Sequence, residues 1–212
     1  MKKQIILFAL TACLLLTSCT NTASSIQDLD LSKSEPSKAE LSEQDLENMQ
    51  KDAISFAEFF DTPFSSTDEL DYQMIGHNSL YQIAAGENNS NFETDSSGYP
   101  YIPKKLLQSY VQEHFGIENY EYPVSDDPNI LPQYNPKKDA YLFGAAREGS
   151  RSIVSVLDET VIDKTVIYSM KFETPNIETG EIMETRNIEY EFEIISTAEG
   201  YVLKAKSAQE IK

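Results

Sequence analysis

Thr165-Val166-Ile167-Tyr168-Ser169-Met170-Lys171-Phe172-Glu173 and Asn187-Ile188-Glu189-Tyr190-Glu191-Phe192-Glu193-Ile194-Ile195 decide the fold. In both stretches large apolar residues recur at every second position. Side chains of an extended chain alternate between two faces, so this spacing marks strands with one buried face. Val166, Tyr168, Met170 and Phe172 fall on one face of the first. Tyr190, Phe192 and Ile194 fall on one face of the second, with Glu189, Glu191 and Glu193 turned to water. Ser152–Leu157 and Tyr201–Ser207 carry the same period or a run of β-branched residues. The connections Thr174–Glu181 and Ser196–Gly200 are short and contain glycine. They suit hairpins and are too short for a parallel crossover, so the last third is expected to be a four-strand antiparallel meander.

A sheet with one apolar face needs a cover. Upstream, Leu46, Met49, Ala53, Phe56, Ala57 and Phe60 follow helical spacing over Ser42–Phe60. Ser42 with Asp45 has the form of a capping box, Leu41 and Leu46 stand where a hydrophobic staple needs them, and Thr62-Pro63 stops the helix. A second helix is expected over Pro103–Phe115, with Pro103 in its first turn and Gly116 as its stop. Its apolar face holds Leu106, Leu107, Tyr110, Val111, His114 and Phe115. Residues 64–85 fit helices or strands equally. Residues 123–139 are rich in Pro, Asn and Asp and read as loop, with a short hairpin ending in Ala140-Tyr141-Leu142-Phe143. The expected class is α+β: two amphipathic helices packed on a twisted antiparallel sheet that ends in the meander, all in one domain over 42–212.

The N-terminal end has a different character. Lys2 and Lys3 precede an apolar run, Ile5–Leu16, broken only by Thr11. At about 1.5 Å per helical residue the run is too short for a ~30 Å hydrocarbon core, which is signal-peptide length. It ends in Leu16-Thr17-Ser18-Cys19, which resembles the lipobox of bacterial lipoproteins. That resemblance implies cleavage before Cys19 and acylation of its sulfur, a signal peptide over 1–18, and anchoring on the extracytoplasmic face of the cell membrane. Residues 19–41 then form a Ser-rich, charged tether without a sustained apolar period. A flexible tether of this length spans roughly 25 Å, which keeps the domain close to the membrane. Cys13 lies in the removed segment, so no thiol remains for a disulfide, a nucleophile or a metal.

The net charge is −18, and becomes −20 without the two lysines of residues 1–18. Such a balance disfavours nucleic acid and anionic membrane surfaces, and favours solubility and cationic partners. Tryptophan is absent. Seven of the twelve tyrosines fall between Tyr99 and Tyr141. Tyrosine brings large contact area at small entropic cost, so Tyr99, Tyr101, Tyr120, Tyr122 and Tyr134 are candidates for a binding surface. Strand propensity offers a plainer explanation for the same residues.

Catalytic signatures are missing. The two histidines, His77 and His114, have no metal-ligand spacing, and there is no nucleophile elbow, phosphate loop or dinucleotide fingerprint. His114 sits on an apolar helix face and is expected to be a satisfied, partly buried side chain. The acids Asp126-Asp127 and Asp158-Glu159 form no identifiable pair. Residues 93–104 fail as a calcium loop, since Lys104 stands where a bidentate acid belongs. No cofactor and no metal is implied.

Tyr99-Pro100-Tyr101-Ile102-Pro103 through Phe115-Gly116, then Tyr134-Asn135-Pro136-Lys137-Lys138-Asp139-Ala140-Tyr141 and the meander, resemble uncharacterised lipoproteins of Gram-positive gut bacteria, over roughly residues 99–207. The helix-then-sheet order is loosely similar to NTF2-like and cystatin-like folds; architecture alone implies no function. The expected role is a non-enzymatic envelope module that binds a protein or peptide, inhibition of a wall hydrolase being one concrete form. The alternatives are a small-ligand module with its pocket between helix and sheet, and an enzyme using paired carboxylates or His77.

Overall fold

Ser42 begins the described fold as the sequence leads one to expect. In the computed structural model, which describes residues 41–86, 91–127, 130–144, 152–198 and 200–212, its hydroxyl accepts from the Asp45 amide at 3.1 Å. The Asp45 carboxylate accepts from the Ser42 amide at 3.0 Å. This reciprocal box satisfies two donors that a helix start leaves open, and its hydrogen bonds from Ser42 hold the Asp45 carboxyl below the usual carboxylate range. Helix α1, Glu43–Ala57, buries Met49, Ala53, Phe56 and Ala57. It ends one turn earlier than its apolar spacing suggests. Phe59 and Phe60 both donate backbone bonds to the Phe56 carbonyl, and this tightened turn carries their rings into the core.

The ambiguous segment holds a short 3₁₀ turn, Thr67–Glu69, and helix α2, Tyr72–Ala85. Asp71 caps α2 by accepting from the Met74 amide at 2.7 Å. Helix α3, Lys104–Phe115, starts after Pro103 and stops at Gly116, whose φ of 74° is readily adopted only by glycine. Leu106, expected on the apolar face of α3, is exposed, while Leu107, Val111 and Phe115 are buried.

The large sheet is the expected meander: β4 (Ile153–Ile162), β5 (Thr165–Pro175), β6 (Ile182–Thr197) and β7 (Gly200–Ile211), antiparallel in that order. Along β5 burial alternates as the sequence does, with Val166, Tyr168, Met170 and Phe172 inside. Phe56 joins the layers. Its ring lies 5.3 Å from Phe192, 6.1 Å from Tyr190 and 5.8 Å from Phe115, so α1, α3 and the sheet meet on one side chain. Burying such a ring contributes about 1.5–3 kcal/mol. The opposite face is polar: Glu191 pairs with Lys206 at 2.6 Å and Glu189 accepts from Gln209 at 2.6 Å. One covered and one wet face is ordinary for an antiparallel sheet.

A second sheet has three short strands, β1 (Tyr101–Pro103), β2 (Gln133–Asn135) and β3 (Ala140–Leu142), in the order β1-β3-β2, all antiparallel. β2 and β3 are the short hairpin read from the sequence; β1 was not expected as a strand. Chain contacts divide the molecule into Met1–Lys33 and Ser34–Lys212, and every described residue lies in the second unit. The expected signal peptide, Cys19 and the expected tether up to residue 40 lie outside the described residues. No described helix is long and apolar enough to cross a membrane.

Candidate functional site

The small sheet carries Tyr101 on β1 and Tyr134 on β2. Its register sets Tyr101, Leu142 and Gln133 side by side. The β2–β3 connection is a tight turn. The Asn135 side chain accepts from the Lys137 amide at 3.0 Å, the Asn135 carbonyl accepts from the Lys138 amide at 3.2 Å, and Asp139 takes a left-handed φ of 48°, a conformation short polar residues tolerate. The turn thrusts Lys137 and Lys138 outward beside the strands. A shallow groove of about 380 Å³ runs over this region, lined chiefly by Tyr101, Gln133, Tyr134, Pro136 and Leu142.

Two lysines are fixed over tyrosine rings at this surface. The Lys138 ammonium lies 4.7 Å from the Tyr101 ring centre and pairs with Glu93. The Lys104 ammonium lies 5.8 Å from the Tyr134 ring and 2.6 Å from the Glu121 carboxylate. That bond to Glu121 raises the affinity of Lys104 for its proton. The Tyr134 hydroxyl donates to Asp139 at 2.6 Å, which holds the phenol protonated above its ordinary range. Each aromatic thereby has a cation fixed over its ring and stays partly accessible, an arrangement that lowers the entropy lost on contact.

Of the five tyrosines predicted to form a binding surface, Tyr99 (43% exposed), Tyr101 and Tyr134 (36%) are accessible. Tyr120 and Tyr122 are not: both are buried. The segment carrying them tucks under α2, where Gly76 has no side chain to obstruct either ring. The Tyr120 hydroxyl donates to the Tyr72 carbonyl at 2.6 Å, and its burial raises its pKa. Tyr72, missed by sequence reasoning, takes their place. It is 45% exposed, its ring packs 4.5 Å from Tyr120, and its hydroxyl accepts a long bond from the Glu121 amide. Tyr72, Glu121, Lys104 and Tyr134 thus follow one another across the surface. Nothing in the sequence marked Tyr72, which lies inside residues 64–85, a segment with no clear period.

Between helices and sheet lies a small cavity of about 30 Å³, bordered by Asp52, Asn78, Gln82, Tyr110 and His114. At roughly 10–15 Å³ per water molecule it has room for two or three. The His114 ring stacks on Tyr110 at 3.9 Å, and its Nδ1 lies 3.1 Å from the Leu203 carbonyl. A carbonyl only accepts, so Nδ1 carries a hydrogen. Burial lowers its pKa to about 4. It is the satisfied, partly buried histidine that its place on the helix suggested. Burial also raises Tyr110 and Asp52. The Nδ2 of buried Asn78 has no hydrogen-bond partner among the described residues.

His77 is half-buried, edge-on to the Phe143 ring at 5.4 Å, and borders a surface hollow with Asp71 and Tyr122. Asp126-Asp127 lies in an exposed loop. Asp158-Glu159 lies within β4. Among the described residues no group of three or more histidines, cysteines or acids is placed to hold a metal ion. In the loop tested for calcium, Asp95 instead accepts from the Ser97 and Tyr99 amides, both at 2.9 Å, and so organises a turn. No protein-family model matches this chain, and no curated protein or solved structure matches it.

Proposed function

We propose that this chain is a lipid-anchored protein of the extracytoplasmic face of the cell membrane, and that its α+β domain binds a protein or peptide partner through the tyrosine–lysine surface of the small sheet. The lipobox-like Leu16-Thr17-Ser18-Cys19 motivates the anchor. The observation that carries the binding reading is the pair of lysines held over Tyr101 and Tyr134 beside an open groove. Exposed aromatics fixed by charge contribute contact area with little ordering left to do on association. The net charge of −18 steers a basic partner toward the domain. Inhibition of a wall hydrolase is the concrete form we favour, because a tether of this length works close to the membrane.

The test is site-specific photo-crosslinking in the envelope of the producing cell, using the full chain. A crosslinker at position 134 is compared with one at Gln209, on the polar face of the large sheet. One dominant protein adduct from position 134, absent from 209 and lost with Tyr101→Ala and Lys138→Ala, is the expected result. Equal capture at both positions, or none at 134, removes the reading.

A further inference from the structure

The two edges of the large sheet differ. The outer edge of β7 is partly closed, because Phe64 exchanges two backbone bonds with Ala208, at 2.9 and 2.8 Å. The outer edge of β4 pairs with no described residue. β4 is ten residues long, Ile153-Val154-Ser155-Val156-Leu157-Asp158-Glu159-Thr160-Val161-Ile162. An edge strand offers a row of unpaired amides and carbonyls, and proteins usually guard it with lysine, proline, a bulge or a short length. Of these devices β4 has only a bulge, between Val156 and Asp158. The bulged residue is Leu157, which is 55% exposed, as Ile153 and Ile162 at the two ends also are to within a percent.

From this we infer that β4 is a docking edge on which an extended, lysine- or arginine-bearing segment of a partner protein adds as a fifth strand. Main-chain bonds supply the pairing, and alternate side chains meet the aliphatic residues of β4. The charge of the edge selects the partner. The strand carries Asp158 and Glu159 and no cation. A second copy of this chain is a poor fit. Pairing two β4 strands centre to centre sets the acids of each beside those of the other, and each copy carries −18. The inference rests on the protein-partner reading above and adds where the partner's backbone lies and what charge it bears.

The probe is a labelled decapeptide of alternating lysine and valine with capped ends, set against an otherwise identical glutamate–valine peptide. Both are added to the full chain in detergent. Binding is followed by fluorescence anisotropy and located by amide hydrogen exchange. The expected result is slowed exchange confined to residues 153–162 with the lysine peptide and none with the glutamate peptide. Leu157→Lys with Asp158→Lys, both exposed positions, weakens lysine-peptide binding about tenfold. Protection spread over the acidic surface, no protection at β4, or equal binding of both peptides overturns the inference. If β4 stays silent while position 134 still captures an envelope protein, this inference fails alone. If β4 pairs and position 134 captures nothing, the edge stands and the tyrosine reading falls.

Discussion

The Tyr190 hydroxyl, on the central strand β6, donates a 2.7 Å hydrogen bond to the Phe60 carbonyl just past the end of α1. Both groups are buried. The bond ties the tight turn after α1 to the large sheet and keeps a core carbonyl satisfied. Burial raises the Tyr190 phenol, so it stays a donor throughout the physiological range. Tyr190→Phe removes the hydroxyl and leaves the Phe60 carbonyl without water or partner, at a cost of about 1–3 kcal/mol. Urea denaturation is the check. A loss below a few tenths of a kcal/mol would mean that the turn relaxes enough to hydrate the carbonyl.

Gly76 predicts a reversal of the usual helix rule. In a helix interior, alanine is normally better than glycine by about 1 kcal/mol. Here a Cβ would meet the Tyr120 hydroxyl and the Tyr122 ring, with Tyr120 Cζ at 2.9 Å. The nearby atoms belong to buried rings, one of them tied to the Tyr72 carbonyl, so they cannot swing aside. Gly76→Ala is expected to destabilise by about 1–3 kcal/mol through overpacking, and to expose Tyr120 and Tyr122 to nitration. A variant more stable than the parent would show that this contact yields.

The sheet was legible because its code is local. Two residues of spacing put Tyr168, Met170 and Phe172 on one face of β5 whatever packs there. Ser42 and Asp45 likewise announce α1 by themselves. The small sheet was harder to read, since β1 has three residues, too few for any period, and exists through pairing with β3 some forty positions later. The site suffered most. Tyr120 and Tyr134 look alike in sequence, both in Pro- and Asn-rich surroundings. What separates them is that Gly76, far off in the chain, lets Tyr120 lie against α2, while the turn at Asn135–Asp139 lifts Tyr134 clear. Helix α2 was hidden because it is apolar on more than one face, with Ile75 and Leu80 buried and buried Asn78 and Ser79 between them.

His114 sets a pH dependence. Its folded pKa, about 4, lies below the ordinary 6.5. Between these values the unfolded chain binds the proton and the folded chain does not. Stability is therefore full above about pH 6.5 and falls as the pH drops toward 4, by about 3 kcal/mol. Asp52, across the same cavity, pulls the other way, because its raised carboxyl favours the folded state when protonated and loses that advantage as pH rises through its folded pKa. The comparison that isolates the histidine is His114→Gln, which leaves Asp52 in place. The difference in unfolding free energy between parent and variant is expected to shrink from pH 7 to pH 4. A constant difference would mean that water reaches the ring and its pKa is near normal.

Cys19 bears on where all of this happens. If its sulfur is acylated, each buried CH₂ contributes roughly 0.8 kcal/mol to membrane binding, and two or more chains hold the domain stably. Such attachment is hydrophobic, so high salt and alkaline carbonate leave it in place while detergent releases it. Electrostatic adhesion is a poor competing explanation for membrane association, since a chain of charge −18 is repelled by anionic headgroups. The expected outcome is that the parent chain sediments with membranes and partitions into the detergent phase, whereas Cys19→Ser appears in the aqueous fraction at its full precursor length. The length matters because cleavage and acylation are coupled at this cysteine in the lipoproteins the segment resembles. A Cys19→Ser chain that is processed normally and still enters the detergent phase would remove the anchor, and with it the reason for placing the binding surface beside the membrane.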